Sequence, residues 1–409
     1  MAALAIDIVT LYVARSEIQR AADAAALAGA KAVADSGITT LLLTDPNFSV
    51  VKPWAQFVAT AQINAVLQNN LVSGGAPAVV SAPVDWSRQG DPHITVNLRR
   101  DNLPTFFSKI WKRGSASVTA AATAEAYNPA NVPNFTPIAP KAVKPWLIAN
   151  ADPNNAGNPF ITPAGAVEPG ATVVGELLNL TADCQPGLPN CQLIDNPPSS
   201  AGPRQVDYVP ALVTLPGVPN PNVCPPCAGA TDYEQSIECA DVTTSYQVLS
   251  CGGGANHATW DSSVNPGGLN GFSALGAECL IHATAAGMGQ GQDKLDSSPW
   301  PANPMQITAE SGLQLGSLVT TSSSIVTIPI IDITYGGGGF PASGAALTVV
   351  GFLQAFINQV HGGGLPSHPG DIEVYVLNVA GCSATPNGAN PVVGGSGSSP
   401  VPVRLITPP

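Results

Sequence analysis

The sequence has little charge and no cysteine before position 184. Charged residues make up 10% of the 409 positions, far below the usual quarter, and only three residues are methionine. The 15 basic residues form no stripe, and 27 acidic residues outnumber them, for a net charge of −12. Nucleic-acid binding needs clustered positive charge that neutralises phosphates, so nucleic acid is not an expected partner.

Catalytic and nucleotide-binding motifs are also missing. The sequence contains no phosphate-binding loop, no His-Glu-x-x-His zinc helix and no Gly-x-Ser-x-Gly nucleophile elbow. We therefore expect no enzymatic activity, no cofactor and no metal site. Two alternatives stay open. The residues of a hydrolase triad converge only in the folded structure, so the sequence does not exclude one. The Gly-x-Gly-x-Asp pattern from Gly289 to Asp293 resembles one calcium-binding nonapeptide repeat, and a surface turn is the simpler interpretation.

Glycine and proline are abundant instead. The 41 glycines and 40 prolines form about one fifth of the chain, just below the level typical of disorder. The length is sufficient for two or three domains with a sizeable core. The composition therefore predicts a loop-rich globular chain, more typical of a secreted or envelope protein than of a cytosolic enzyme.

The cysteines support that interpretation. An even number confined to the loop-rich part is typical of a disulfide-stapled extracytoplasmic domain, although the sequence does not determine the pairing. The eight cysteines expected to form disulfides are Cys184, Cys191, Cys224, Cys227, Cys239, Cys251, Cys279 and Cys382. The segment Cys224-Pro-Pro-Cys227 is alternatively a redox pair or half of a zinc site.

The N-terminal residues 1–36 predict one long helix. Its apolar start, residues 2–14, makes about 20 Å of helix, which is shorter than a bilayer core of about 30 Å. We expect a truncated transmembrane or pilin-like helix that begins upstream of Met1; a buried core helix is the alternative. The alanine-rich part that follows would let a partner helix approach closely, and Asp7 would need a partner in lipid.

Periodicity divides the rest into three parts. Residues 37–128 predict an α+β module, with a helix over 53–71, strands over 94–98 and 115–127, and a short helix over 103–111 between those strands. Residues 129–170 are rich in proline and asparagine and predict a linker. Residues 171–409 predict a cysteine-containing extracytoplasmic domain, in which a strand over 324–333, a helix over 346–360 and a strand over 371–379 form a βαβ-like core.

The predicted fold class is therefore α+β. A long N-terminal helix is expected to pack on a small antiparallel sheet, followed by a loop-rich, disulfide-containing α+β domain. The last short strand is expected near residues 401–406.

Specific residues carry a family resemblance. Residues 3–33 resemble the N-terminal signature of the TadE/TadG-like proteins of tight-adherence (Flp-type) pilus assembly, and residues 94–126 resemble the module that follows it. The signature elements are Asp7, Leu11-Tyr12, Arg15, Gln19 and the run Ala-Asp-Ala-Ala-Ala-Leu-Ala-Gly from Ala22 to Gly29. The metal-dependent adhesion motif of some relatives is absent, because Asp85-x-Ser87 continues with Gln89.

The resemblance implies a structural role in the bacterial cell envelope. The protein would be anchored in the inner membrane, with an extracytoplasmic domain, as a minor pilin-like or scaffold component of Flp pilus assembly. Its partners would be other pilus assembly or pilin proteins, and the membrane through the N-terminal helix. The residues expected at that membrane or partner helix are Ile6, Asp7, Val9, Val13, Ala22, Asp23, Ala26 and Gly29. A surface adhesin that binds ligands through the cysteine-rich loops of residues 171–320 is the alternative function.

Overall fold

The fold is taken from a computed structural model of the chain. It describes residues 2–103, 116–128, 138–140, 143–155, 158–168, 173–182, 204–213, 231–238, 257–261, 263–264, 271–283, 290–297, 305–310, 315–316, 318–319, 322–333, 346–361, 370–381, 392–393 and 400–406. The chain forms two compact units. Unit 1 comprises Met1–Thr39, Val51–Tyr127 and Val403–Pro409, and unit 2 comprises Thr40–Val50 and Asn128–Pro402.

The described elements are four α-helices, one 3-10 helix and sixteen strands. The helices are α1 (Ala2–Asp35), the 3-10 helix (Ile38–Thr40), α2 (Pro46–Asn69), α3 (Asp232–Glu238) and α4 (Phe272–Leu280). The strands are β1 (Ala78–Ser81), β2 (Val84–Asp85), β3 (His93–Leu103), β4 (Ala116–Ala126), β5 (Ile138–Ala139), β6 (Trp146–Ala149), β7 (Leu177–Thr181), β8 (Arg204–Pro210), β9 (His257–Thr259), β10 (Asp293–Asp296), β11 (Gln306–Ala309), β12 (Ile325–Ile331), β13 (Ala346–Val360), β14 (Ile372–Gly381), β15 (Val392–Val393) and β16 (Val403–Ile406).

Unit 1 contains helix α1, most of helix α2 and an antiparallel sheet. Its strands lie in the order β1-β3-β4-β16, and β2 pairs with β3. Helix α1 contacts β3, β4 and β16. Helix α2 buries residues spaced by four, namely Val51, Ala55, Ala59, Ile63 and Leu67. The short helix predicted over 103–111 lies largely outside the described residues.

Unit 2 is built around a closed six-stranded sheet. The hydrogen-bonded order β12-β6-β8-β7-β14-β13 returns to its start because β13 also pairs with β12. The short strand β9 pairs with the beginning of β13, outside that ring. Each strand of the closed sheet therefore has a neighbouring strand on both sides. Pro329, which the sequence predicts at an edge or bulge, lies within β12 opposite Phe352 of β13.

The interior of this closed sheet is apolar. One buried cluster takes alternate residues from all six strands, and helices α3 and α4 add residues to it. Representative members are Trp146, Leu180, Val206, Ile328, Leu353 and Val376. A second buried cluster takes intervening residues such as Leu147, Val209 and Phe352. Both faces of these strands are therefore buried, which accounts for their nearly continuous apolar sequences.

The predicted helix over 346–360 is wrong, because these residues form the 15-residue strand β13. The positions Val349, Val350, Leu353 and Phe356 fit helical spacing, but β-branched and aromatic residues also suit a strand buried on both faces. Strands β12 and β14 flank β13 along most of its length. Tertiary pairing therefore decided the conformation, and the expected βαβ-like core does not form.

The predicted fold class is consequently wrong as well. Strands outweigh helices among the described residues, and the larger unit is a closed six-stranded sheet rather than a loop-rich α+β domain. The residues 129–170 predicted as a linker include β5 and β6, and they bury Phe160 and Ile161 in the core of unit 2. Strand β16 belongs to unit 1, although the sequence places it in the last domain.

The predicted disulfide cysteines lie almost entirely outside the described residues. Cys279, on α4, is the one cysteine within the described residues, and it is disulfide-bonded. The other seven cysteines lie outside the described residues. No cysteine pair is seen within the described ranges, where sheet closure and apolar packing hold the unit together.

A buried lysine positions helix α3 in unit 2. The Lys144 ammonium donates hydrogen bonds to the carbonyl oxygens of Ser236, at 3.4 Å, and Ile237, at 2.6 Å. These carbonyls lie in the last turn of α3, where the helix dipole favours a cation. Complete burial lowers the pKa of Lys144 to about 7. The lysine therefore acts as a buried cap of the helix end.

We predict that Gly381→Ala will destabilise unit 2 by about 1–3 kcal/mol. A Cβ atom at Gly381 would lie 2.2 Å from the carbonyl oxygen of Gly165, and a backbone atom cannot rotate away as a side-chain end can. Urea unfolding followed by tryptophan fluorescence measures the effect. Tyr375→Phe, in the same strand, is the control and should change the free energy of unfolding by less than about 0.5 kcal/mol. Equal stability of Gly381→Ala and the wild type would contradict the close approach.

Candidate interaction surface on the N-terminal unit

The first part of α1 exposes bulky apolar side chains. The exposed fractions are 50% for Ile6, 61% for Val9 and 47% for Val13. Ile8 and Tyr12 are also exposed, Tyr12 by 75%. Asp7, between them, is 4% exposed. We call Ile6, Ile8, Val9, Tyr12 and Val13 the apolar patch of α1.

The second part of α1 is buried by its own unit. Ala22 and Ala26 have no exposed surface, Gly29 is buried, and Asp23 is half-buried. A Cβ atom at Gly29 would lie 2.9 Å from Cδ1 of Ile94 on β3 and 3.0 Å from Cδ1 of Ile63 on α2. The small residues thus allow close packing inside unit 1, and this internal packing replaces the expected partner contact at Ala22, Ala26 and Gly29.

A groove lies between the exposed part of α1 and the sheet of unit 1. It has a volume of about 850 Å³. Tyr12, Arg15 and Gln19 of the signature line its helical wall, and β1, β3 and β4 form the other wall. Gln19 bridges the two walls, because its Nε2 donates to the carbonyl oxygen of Ala121 at 3.2 Å and to Asp23 Oδ1 at 2.9 Å. Arg20 also lines the groove, which gives an acidic protein a locally basic surface.

A cluster of charged residues joins three strands on another part of unit 1. His93 Nε2 lies 3.2 Å from Asp91 Oδ2 and 3.2 Å from Glu125 Oε2. The other oxygen of Glu125 accepts a hydrogen bond from Nε of Arg404. The guanidinium of Arg404 also lies over the Tyr127 ring, 5.5 Å from its centre. We call Asp91, His93, Glu125 and Arg404 the cross-strand cluster.

The cross-strand cluster follows from strand register. His93 on β3 pairs with Glu125 on β4, and Glu125 pairs with Arg404 on β16. Opposite charges at directly opposed positions stabilise antiparallel strands. The sequence interpretation missed this cluster, because the pairing partner of residues 403–406 cannot be read from the sequence. The available signal was the alternation in residues 93–99, which places His93 on the face opposite Ile94.

The same cluster offers possible metal ligands. One ligand atom from each of Asp91, His93 and Glu125 lies within 4.8 Å of the others. Burial raises the pKa of Asp91, and the neighbouring Glu125 carboxylate raises it further. Arg404 and Arg88, whose Nη1 lies 3.5 Å from Asp91, already offset these negative charges. The arrangement therefore links the paired strands through ion pairs.

The weak calcium motif of the sequence does not assemble a set of acidic ligands among the described residues. Asp293 begins β10, and its Oδ2 accepts a hydrogen bond from the Ser322 hydroxyl at 2.5 Å. Gly289 lies outside the described residues. Asp293 is thus part of a strand that pairs with β11.

Comparison with known proteins identifies the N-terminal segment. Residues 1–32 match the family model described as "Putative Flp pilus-assembly TadE/G-like". This segment is similar to TadE/G-like proteins. The match, which covers only this short region, associates the chain with Flp pilus assembly, whose TadE/G-like proteins are cell-envelope components. No curated protein and no solved structure matches the chain.

The TadE/G-like segment, residues 1–32, covers nearly the whole of helix α1, Ala2–Asp35. Its first part carries the apolar patch, its middle lines the groove, and its last part is packed inside unit 1. Within the described residues, no helix is both long enough and apolar enough to cross a membrane. The surface that this segment leaves available is therefore the apolar patch together with the helical wall of the groove.

We predict that Gly29→Leu will destabilise unit 1 by about 1–3 kcal/mol, because the added side chain must displace Ile94 and Ile63. Gly29→Ala should change stability by no more than about 1 kcal/mol, since the better helix propensity of alanine offsets contacts with two mobile side-chain ends. Thermal unfolding followed by circular dichroism measures both variants. Ser16→Leu, at an exposed position of α1, is the control. A Gly29→Leu variant as stable as Ser16→Leu would show that α1 does not pack closely here.

We predict that Arg404→Ala will loosen β16, because Arg404 provides the ion pair with Glu125 and the contact with Tyr127. Hydrogen exchange of the amides of residues 403–406 should become at least several-fold faster. Arg99→Ala is the matched control: Arg99 is similarly exposed, but its ion pair with Asp101 stays within β3. Unchanged exchange in Arg404→Ala, or equal acceleration of residues 403–406 in both variants, would contradict the role of the cross-strand cluster.

Proposed function

We propose that this protein is a non-enzymatic structural component of Flp pilus assembly, of the minor pilin-like or scaffold kind. It is held at the inner membrane by its N-terminal helix, with its two units on the extracytoplasmic side. The observation that carries the proposal is the division of the TadE/G-like helix. Its alanine-rich part packs within the chain, while its first turns present the apolar patch.

The apolar patch supports a contact with lipid or with partner helices. Five bulky apolar side chains within residues 6–13 are 47–75% exposed, and such a concentration is unusual on a freely soluble helix. Burial of each such side chain contributes about 1.5–3 kcal/mol relative to full exposure. Contact of the patch with a membrane or an apolar helix would therefore stabilise the assembled form.

The groove supports recognition of a protein partner. Arg15 and Arg20 lie on a helical wall in a chain of net charge −12, so they offer a local attraction to acidic groups. Gln19 holds that wall to β4 through the Ala121 carbonyl, so the groove is preorganised. A segment of another pilus assembly protein with apolar and acidic side chains would fit both the groove and the adjacent apolar patch.

The alternative role as an adhesin has no specific support in the described residues. It depends on the cysteine-rich loops of residues 171–320, and most of these loops lie outside the described ranges. The pilus-assembly proposal depends on α1, which is described from Ala2 to Asp35.

The proposal predicts that Val9→Asp combined with Val13→Asp abolishes pilus assembly while both units stay folded. Two added carboxylates on the apolar patch would oppose transfer into lipid or an apolar interface. The variant gene replaces the native gene in the bacterium that carries it, and surface pili are counted by electron microscopy. Immunoblots of membrane and soluble fractions report the amount and location of the protein.

Leu71→Asp is the control, because Leu71 is an exposed apolar residue of unit 1 that lies outside α1. It should leave both pili and membrane association unchanged. Normal pili in the double variant, with normal protein levels, would refute the proposal. Loss of pili in the Leu71 control as well would show a general sensitivity to added charge and would also count against it.

A further inference from the structure

Two arginines of α1 face the groove of unit 1 without a partner among the described residues. Arg15 and Arg20 are both exposed, line the helical wall of the groove, and make no ion pair or hydrogen bond with another described residue. The acids nearest to them in the sequence are engaged elsewhere. Glu17 Oε2 accepts a hydrogen bond from a backbone amide at 2.8 Å, and Asp23 Oδ1 accepts one from a glutamine side chain at 2.9 Å. Both guanidinium groups are therefore available to an anion from outside the chain.

The other arginines within the described residues behave differently. Each of them contacts an oxygen atom of the chain, in a carboxylate, a backbone carbonyl or an asparagine side chain. These arginines are Arg88, Arg99, Arg100, Arg204 and Arg404. In this weakly charged chain, the described arginines without an internal partner are thus the two that line the groove. This distribution indicates that the groove receives a negative group of another molecule.

The groove continues the apolar patch along one face of α1. Residues at i, i+4, i+7 and i+11 lie on one side of an α-helix. The positions that follow this spacing here are Ile8, Tyr12, Arg15 and Gln19. Tyr12 belongs to both surfaces, because it is 75% exposed in the patch and also lines the groove. A molecule that covers both surfaces must be apolar at one end and negatively charged at the other.

The spacing along α1 matches the depth of a membrane surface. An α-helix rises about 1.5 Å per residue, so Arg15 lies about 3 Å beyond Val13, the last residue of the patch, and Arg20 lies about 10 Å beyond it. The headgroup layer on one side of a bilayer is about 5–7 Å thick. Long arginine side chains extend toward that layer from either side. When the patch lies in the hydrocarbon, both guanidinium groups therefore reach the lipid phosphates.

Neutral donors surround the two arginines. Ser16 lies on the helical wall of the groove, and Ser81, Asn97 and Thr119 line the sheet wall. Asn97 Nδ2 donates to Ser81 Oγ at 3.0 Å, which fixes these two side chains within the sheet. A guanidinium group binds phosphate oxygens through two parallel hydrogen bonds, and hydroxyl groups can donate to the remaining oxygens. The groove volume of about 850 Å³ is typical of ligand sites.

We propose that the groove binds the phosphate of an anionic phospholipid while the apolar patch enters the hydrocarbon of the same leaflet. The inference rests on the proposed attachment of α1 to the membrane, and it names the lipid class that α1 selects. Arg15 and Arg20 supply the selectivity for negative charge, and the apolar patch supplies binding to any lipid. A protein segment in the groove makes a different prediction, because its binding would not depend on lipid charge.

The test uses the purified full chain and flotation with lipid vesicles. Vesicles of phosphatidylcholine alone are compared with vesicles that contain about one third phosphatidylglycerol. The wild type should bind the anionic vesicles about 10–30-fold more tightly, and Arg15→Gln combined with Arg20→Gln should remove that preference but keep the weaker binding to neutral vesicles. High NaCl should reduce the preference of the wild type in the same way, and this measurement needs no variant.

Arg88→Gln combined with Arg99→Gln is the matched control. It removes the same charge from two exposed arginines of unit 1 that lie outside the groove, and it should bind both kinds of vesicle as the wild type does. Circular dichroism checks that each double variant is folded. Glycerol 1-phosphate, which has the headgroup chemistry without acyl chains, separates a lipid from a soluble phosphate. An excess of it should not release the wild type from anionic vesicles.

Several results would overturn the inference and leave the attachment of α1 intact. These are equal binding of the wild type to neutral and anionic vesicles, an equal loss in the Arg88 and Arg99 control, and release by glycerol 1-phosphate, which would indicate a soluble ligand. An Arg15 and Arg20 variant that binds vesicles normally but assembles no pili would assign the arginines to a protein partner instead.

Failure of the proposed attachment gives a different result. Val9→Asp combined with Val13→Asp should release the protein from both kinds of vesicle, because the apolar patch serves binding to either. A wild type that binds neither kind of vesicle would overturn the attachment and the lipid site together.

Discussion

The pairing of β12 with β13 is the interaction on which the larger unit depends. Without it, the six strands would form an open sheet with exposed edges at β12 and β13. With it, every ring strand has two neighbours, and alternate side chains from six strands meet in one apolar interior. The ring of strands therefore has no open edge that another element must cover.

Helix α1 shows how side-chain size divides one helix between two tasks. Where alanine and glycine predominate, the sheet and α2 lie within contact distance of α1, and this part of the helix is buried within unit 1. Where isoleucine, valine and tyrosine predominate, the side chains extend beyond the sheet and stay exposed. The TadE/G-like match spans both parts, so the matched segment combines an internal packing element with an exposed apolar surface.

Buried carboxylates in this weakly charged chain are stabilised in two different ways. Glu125 is matched by Arg404 and His93 through strand register, so its burial is compensated within the fold. Asp152 is held instead by backbone groups of its own turn, because its Oδ1 accepts hydrogen bonds from the amides of Asn154 and Asn155. Strand register places Arg404 and His93 directly opposite Glu125, whereas Asp152 lies in a turn without a cross-strand partner.

The sequence alone determined the features that depend on local patterns. The alternation in residues 93–99 and 115–127 and the apolar stretch before Gly381 correctly located β3, β4 and β14, and the run from Asp7 to Gly29 identified the family segment. Tertiary structure decided what local patterns leave ambiguous. Val349, Leu353 and Phe356 suit a helix or a doubly buried strand equally well, and only the neighbours β12 and β14 selected the strand. Likewise, nothing in residues 403–406 reveals that they pair with β4, because strand partners far apart in sequence are chosen by the packing of the whole chain.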